Sequence, residues 1–248
     1  MEGKWLALLF LFTVLHPIPT ASAFGDYNIS ESMAQWMISA CMTDRTCRPG
    51  RAKQAFGIHG LWPVKSAGKA VVSCRPCHSF EARKLPRALF EQLVNLWPSL
   101  YDDRYYEFWK LEWEKHGCCF DDSGYPKEAL ANYFQTAFSL AQRYNIWAYL
   151  TREGIKVDVA YDVSVITDAI KKGLGDESNV VQIQCRRLKG KLVVTQIFVC
   201  VNKRATALTQ CPTGRQIRKC GDREFYPNTC TNVIQLAKSI ASFSLMEA

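Results

Sequence analysis

The sequence predicts an α+β fold, a central antiparallel sheet flanked by helices, because strand-like segments come first, helical stripes fill the middle and a long apolar strand pair follows. Residues from about Tyr27 to Met37 and from Gln54 to Leu61 read as the first strands, the second ending at the turn signal Trp62-Pro63. Pro86 stands at a first-turn position ahead of ALFEQLVNLW, whose Leu89, Leu93 and Trp97 form one stripe at helical spacing. Tyr105 to Cys118 reads as the next helix, and Pro126 opens another with Leu130, Tyr133, Phe134 and Phe138 on its apolar side. A fourth runs from Asp162 to Lys172. VVQIQC and KLVVTQIFVCV then flank a polar turn around Gly190 and read as paired antiparallel strands. Beyond Cys220, TNVIQLAKSIASF carries a weak helical stripe of Val233, Leu236 and Ile240, read as surface packing.

The first residues, MEGKWLALLFLFTVLHPIPTASA, place a lysine before an apolar run and end it in Ala21-Ser22-Ala23, the small-residue pattern of a signal peptidase site. Residues 1–23 are therefore expected to be a signal peptide and residues 24–248 a single domain, with the part after about 221 a C-terminal extension. The apolar run is shorter than the roughly 20 residues a membrane span needs. The expected product is secreted, with a vacuolar sorting signal in the tail left open, and no membrane partner is expected.

All eleven cysteines follow the signal segment, at Cys41, Cys47, Cys74, Cys77, Cys118, Cys119, Cys185, Cys200, Cys211, Cys220 and Cys230. In an oxidising compartment they read as a disulfide framework with one left over. Cys74-x-x-Cys77 has no second such pair to complete a zinc site, so no metal is expected. Asn28-Ile29-Ser30 is a glycosylation sequon, and Asn228-Thr229-Cys230 a rarer, weaker form. The net charge of +8 suits an anionic partner such as nucleic acid, although basic residues are scattered apart from Arg186-Arg187 to Lys191 and Arg215 to Lys219.

Without His16 in the signal segment, three histidines remain. His59 sits in AFGIHGLWP and His116 in EFWKLEWEKHGCC. On a helix, Glu112, Lys115 and His116 stand at i, i+3 and i+4, so a carboxylate, an ammonium and an imidazole share a face. RNA cleavage needs one group to take the 2′-hydroxyl proton, another to protonate the departing 5′-oxygen, and a cation for charge building on phosphorus. Histidine suits both proton transfers because it titrates near working pH, Lys115 suits the third role, and Glu112 can orient or polarise a neighbour. No cofactor is needed. Taken singly, His59 also fits a hydrogen-bonded turn residue and His116 a helix C-terminal cation ahead of the stop signal Gly117.

FGIHGLWP at 56–63 and FWKLEWEKHGCC at 108–119 resemble the two active-site segments of the ribonuclease T2 family, in the right order and separation, with Gln35-Trp36 similar to the family's first strand. The resemblance runs to about Cys220. It implies a ribonuclease T2-like domain and a monomeric, metal-independent endoribonuclease acting on single-stranded RNA to leave 2′,3′-cyclic phosphates. By position it makes His116 the general base, His59 the general acid, and Glu112 and Lys115 stabilisers of the pentacoordinate phosphate. It points to Gln35, Trp62, Pro98 and Ser99 for base binding by stacking and backbone contacts. Two departures stand out: Val64 follows the Trp-Pro pair where many relatives carry Asp or Asn, and Leu111 occupies a position that is often a third histidine.

Pistil S-ribonucleases of gametophytic self-incompatibility commonly lack that histidine and are basic. The resemblance thus leans to that branch, with pollen S-locus F-box proteins as possible partners, over S-like enzymes of defence or phosphate recovery and inactive storage proteins. The family's pairing implies Cys41 with Cys47, Cys200 with Cys211, Cys185 with Cys220, and Cys119 with either Cys74 or Cys77. Cys118, usually threonine in relatives, is then free to take the other of those two.

Overall fold

The computed structural model describes residues 27–44, 46–102, 104–120, 126–213 and 233–236. The signal segment, Cys220, Cys230, Ile240 and the second sequon lie outside the described residues. The chain begins with β1 (Ile29–Trp36) and α1 (Met37–Met42), followed by β2 (Phe56–Val64) and α2 (Arg87–Leu96). The middle holds α3 (Tyr105–Glu112), a π-helical turn (Trp113–Gly117), α4 (Cys118–Phe120), α5 (Pro126–Arg143) and α6 (Ile146–Arg152). Then come β3 (Ala160–Asp162), α7 (Val163–Leu174), β4 (Val181–Leu188), β5 (Lys191–Asn202) and β6 (Val233–Gln235). The antiparallel core runs β2-β1-β5-β4, and β6 joins β5 in parallel with β3 beyond it.

One face of the sheet is apolar. Trp36, Ile58, Leu61, Ile197 and Val199 meet Leu93, Trp97, Trp109, Tyr133 and Phe134 from α2, α3 and α5 in one continuous core. Rings interlock there, with Trp97 and Phe134 centroids 5.2 Å apart and Trp36 and Phe56 4.9 Å apart. Buried indole N–H groups usually find an acceptor, although the Trp97 Nε1 has none among the described residues. Trp109 Nε1 donates to the Trp97 carbonyl at 2.8 Å, tying α3 to the end of α2.

Three sequence expectations are corrected. Trp62-Pro63 does not end the second strand, which runs on to Val64; β2 is a sheet edge, where a proline costs no ladder hydrogen bond. The helix expected over Tyr105–Cys118 is interrupted by the π turn. There Lys115 gives its carbonyl to the Ser73 N–H at 2.8 Å, a donor from outside the helix. The segment read as a helical stripe instead forms β6 at 233–235: β5 leaves Leu192 and Val193 open on one side, and the β-branched Val233 and Ile234 fill it as a strand. Leu236 beyond it is buried.

Crosslinks join Cys41 to Cys47, Cys74 to Cys119, Cys77 to Cys118 and Cys200 to Cys211, and Cys185 is also disulfide-bonded. Two of them fasten the 74–77 loop to the turn carrying His116. Trp113 Nε1 adds a bond to the His78 carbonyl at 2.7 Å. Asn28 is exposed just ahead of β1, with its amide on the Ser66 hydroxyl. Among the described residues no helix is long and apolar enough to cross a membrane.

Candidate active site

The face of the sheet opposite the apolar core carries the polar groups. Met33 of β1 opposes Gly60, yet its neighbour Ala34 opposes Ile58, which leaves His59 as the extra residue of a β-bulge. A bulge bends the strand and re-aims a side chain. Here it turns the imidazole toward β5, where Nδ1 lies 2.6 Å from Gln196 Nε2. The amide serves either protonation state, donating N–H to a neutral Nδ1 or accepting from Nδ1–H through its oxygen.

The helical side closes over this. Glu112 Oε1 stands 3.9 Å from His59 Nε2, and Oε2 accepts a 2.8 Å hydrogen bond from Trp62 Nε1. The Trp62 ring stacks on His116 with centroids 4.3 Å apart and planes 12° from parallel, while Lys115 Nζ lies 5.8 Å from that indole's centroid. Phe108 covers His59 at 5.8 Å. The Tyr133 hydroxyl, accepting from the Leu61 N–H at 3.5 Å, forms part of the floor. His116 is 1% exposed, and neither ring nitrogen has a hydrogen-bond partner among the described residues. Buried polar atoms without partners are costly and rare, so these nitrogens are poised for a group that arrives with the ligand.

Burial is the largest influence on all three titrating groups. It lowers His59 to about 4 and His116 to about 3, with the Lys115 charge adding to both. It pushes Glu112 up to about 7, against the Trp62 hydrogen bond and Lys115, which favour the anion. Desolvation penalises whichever form is charged, so imidazoles and carboxyl move in opposite directions toward neutrality. Lys115, on the exposed side of the turn, supplies the cation.

The structure thus gathers His59, Glu112, Lys115, His116 and Trp62. Gln35 is buried on the same sheet face, directly opposite both Gly57 and Gln196. Pro98 and Ser99 lie in the loop after α2. The Leu96 carbonyl ahead of them packs against Gly57, 3.2 Å from where a Cβ would sit. The Ser99 hydroxyl accepts the Tyr101 and Asp102 N–H groups at 3.3 and 3.1 Å, so it shapes the loop. Leu111 is 63% exposed beside Glu112.

Sequence reading missed Gln196, Phe108, Gly60 and Tyr133. A lone amide inside the apolar run VVTQIFV was the available signal for Gln196; the others carried none. Gln196, 2.6 Å from His59 Nδ1, is placed to position that imidazole. An ordinary hydrogen bond is worth about 1 kcal/mol, so Gln196→Leu should lower kcat roughly 5- to 10-fold. KM should hold while the His59 limb of the pH profile moves. An unmoved profile would remove Gln196 from the site.

The family model for ribonuclease T2 matches residues 27–211. The chain is 31% identical over 231 residues to Ribonuclease 1 of Arabidopsis thaliana, covering 90% of this chain and 96% of that protein. RNase NT in complex with 5′-AMP superposes with a TM-score of 0.69 at 29% identity, over 80% of this chain and 97% of that one. The self-incompatibility-associated SF11-RNase of Nicotiana alata shares the fold, with a TM-score of 0.68 at 23% identity over 86% of this chain and all of that one. A family model that matches residues 27–211, a relative matched over 90% of the chain and the same architecture agree: the chain belongs to the ribonuclease T2 family.

Proposed function

We propose that this chain is a secreted endoribonuclease that cuts single-stranded RNA by transesterification. The observation that carries the reading is the gathering of the half-buried His59, 3.9 Å from the buried Glu112 carboxyl, and the buried His116, stacked on Trp62, with the exposed Lys115 ammonium alongside. His116 takes the 2′-hydroxyl proton, the 2′-oxygen attacks phosphorus, and the bond to the 5′-oxygen breaks. His59 protonates that oxygen, leaving a 2′,3′-cyclic phosphate. Below about pH 7 Glu112 is a neutral acid and donates its proton to a non-bridging oxygen without like-charge repulsion. Lys115 neutralises the growing charge. For the 2′-hydroxyl to reach His116 the Trp62 ring must give way, offering its face to a base. Gln35, Pro98 and Ser99 serve the flanking base, and Asn28 is the glycan acceptor.

The test is incubation with RNA in a chelator while recording ends and rate against pH. In the free enzyme, His116 acts as base only above about pH 3 and His59 as acid only below about pH 4. The profile of kcat/KM should therefore be bell-shaped with an acidic maximum, falling about tenfold per pH unit above it. Bound phosphate favours the charged imidazoles, so the kcat maximum should lie higher. A kcat/KM maximum at pH 8 would overturn the assignment.

Stability follows the same groups. The histidines, neutral in the fold, take protons below about 6.5 when unfolded, so their contribution is lost as pH falls from there toward their folded values. Glu112 acts oppositely, its contribution being present below about 4.5 and lost as pH rises through about 7.

The biological role we favour is that of a pistil S-ribonuclease recognised by pollen S-locus F-box proteins, supported by the charge of +8 and by Leu111. Transcript confined to styles is the expected result; abundance in roots or leaves points to defence or phosphate recovery. Leu111 and the sealed His116 favour a second reading, an inactive storage protein, which gains if no cyclic ends form anywhere between pH 3 and 8.

A further inference from the structure

Charge on this chain is segregated in sequence: no Asp or Glu occurs between Glu177 and Asp222, a stretch that includes Arg186, Arg187, Lys189 and Lys191. These four lie at the tip of the β4–β5 hairpin and are all exposed. A tight turn, with Lys189 at φ 43° and Gly190 at φ 78°, holds them together. Arg187 caps the turn through the Gly190 carbonyl at 3.0 Å.

Sheet register connects this tip to the site. Gln184 of β4 faces Gln196, which faces Gln35, and Gln196 holds His59, so an unbroken row of amides crosses the sheet from the imidazole to β4. The extra residue near this point belongs to β5, where Gln184 opposes Gln196 but Cys185 opposes Val194, so β4 itself keeps its alternation. Arg186, two residues after Gln184, therefore emerges on the His59 face, about 7 Å further along the strand. Asp44 is held low chiefly by the Thr46 hydrogen bonds, and the Arg186 charge reaches both it and Tyr101, two residues past Ser99. Arg48 joins the same cluster, its N–H bonded to the Leu100 carbonyl at 2.9 Å and its charge acting on Asp102. Asp44, Asp102 and Glu107 are the nearby acids, the last two engaged by Arg104.

We infer that the β4–β5 hairpin and Arg48 form a phosphate-binding track that holds the RNA strand beyond the nucleotides flanking the cut. The inference rests on the RNA-cleaving reading above. The amide row provides hydrogen-bonding groups next to the histidine, and the hairpin provides cations where the strand would leave it. Backbone contacts of this kind carry no base preference.

The test compares wild type with the triple variant Arg186→Gln, Arg187→Gln, Lys189→Asn; asparagine is chosen because it tolerates positive φ. On a 20-nucleotide single strand at low salt, KM should rise at least tenfold. The slope of log affinity against log salt should fall by about 2, three charges at roughly 0.7 each. On a dinucleoside monophosphate, too short to reach the track, kcat/KM should stay within twofold. An unchanged salt slope, or equal loss on both substrates, overturns the track. Binding of a fluorescent 2′-deoxy strand, which lacks the nucleophile, separates the two claims: if wild type cleaves nothing, the cleavage reading fails, while the variant's loss of salt-dependent binding still reads the track. A variant that binds the strand normally but loses binding to polyglutamate would assign the patch to an acidic protein and overturn the proposal.

Discussion

His116→Ala is expected to lower kcat by about 100- to 10,000-fold, the range a positioned general base contributes, and His59→Ala should do the same from the acid side. The two changes should not add, since each removes a partner of one concerted transfer. Their effects on stability differ. His116 is buried with both ring nitrogens unpartnered among the described residues, so an apolar side chain of similar size removes a desolvation cost without breaking a hydrogen bond seen there. His116→Leu should thus be inactive and at least as heat-stable as wild type. Replacing His59 by Leu leaves Gln196 without its partner and should lower the melting temperature. The measurements are single-turnover cleavage and thermal unfolding. A His116 variant near wild-type rate would sink the site, and one that is inactive because it is unfolded would sink the argument about its burial.

Gly60→Ala is the second large effect, and the one least visible beforehand. A Cβ there would lie 2.3 Å from Glu112 Oε2 and 2.4 Å from Trp62 Nε1, far inside contact distance. Space for the glycine is space for the Trp62–Glu112 hydrogen bond. The methyl forces the two apart, which releases the carboxyl from His59 and loosens the indole stacked on His116. Activity should fall at least about 100-fold, comparable to losing two to three kcal/mol of transition-state stabilisation. Trp62→Phe, which breaks the same hydrogen bond but keeps the ring, should fall less. Equal activity of Gly60→Ala and wild type would mean that the Trp62–Glu112 pair plays no part in the reaction.

Most of the fold was legible because its helices and strands carry apolar patterns: Leu89 and Leu93 on α2 with Trp97 at its end, and the run of buried residues that opens β4. The misreadings occurred where a tertiary contact overrode the local signal. Pro63 stays in a strand because β2 is an edge. The helix carrying His116 widens where Ser73 donates to Lys115. Val233 and Ile234 become a strand because β5 offers them an open side.

The sequence by itself determined the chemistry available: two histidines in distinctive segments, a glutamate and a lysine at helical spacing from the second, and cysteines enough to crosslink the chain. Residue types and short-range spacing suffice for this because they set which protons can move near working pH. Tertiary structure alone decided how those groups work together. The bulge at His59 comes from pairing with a strand more than 20 residues away, and the burial that makes the histidines poor cations and Glu112 a weak acid comes from segments about 50 residues apart. Gly60 and Gln196 entered the site the same way, one as empty space and the other across a strand. Desolvation and close approach depend on everything packed around a group, and no local pattern encodes that.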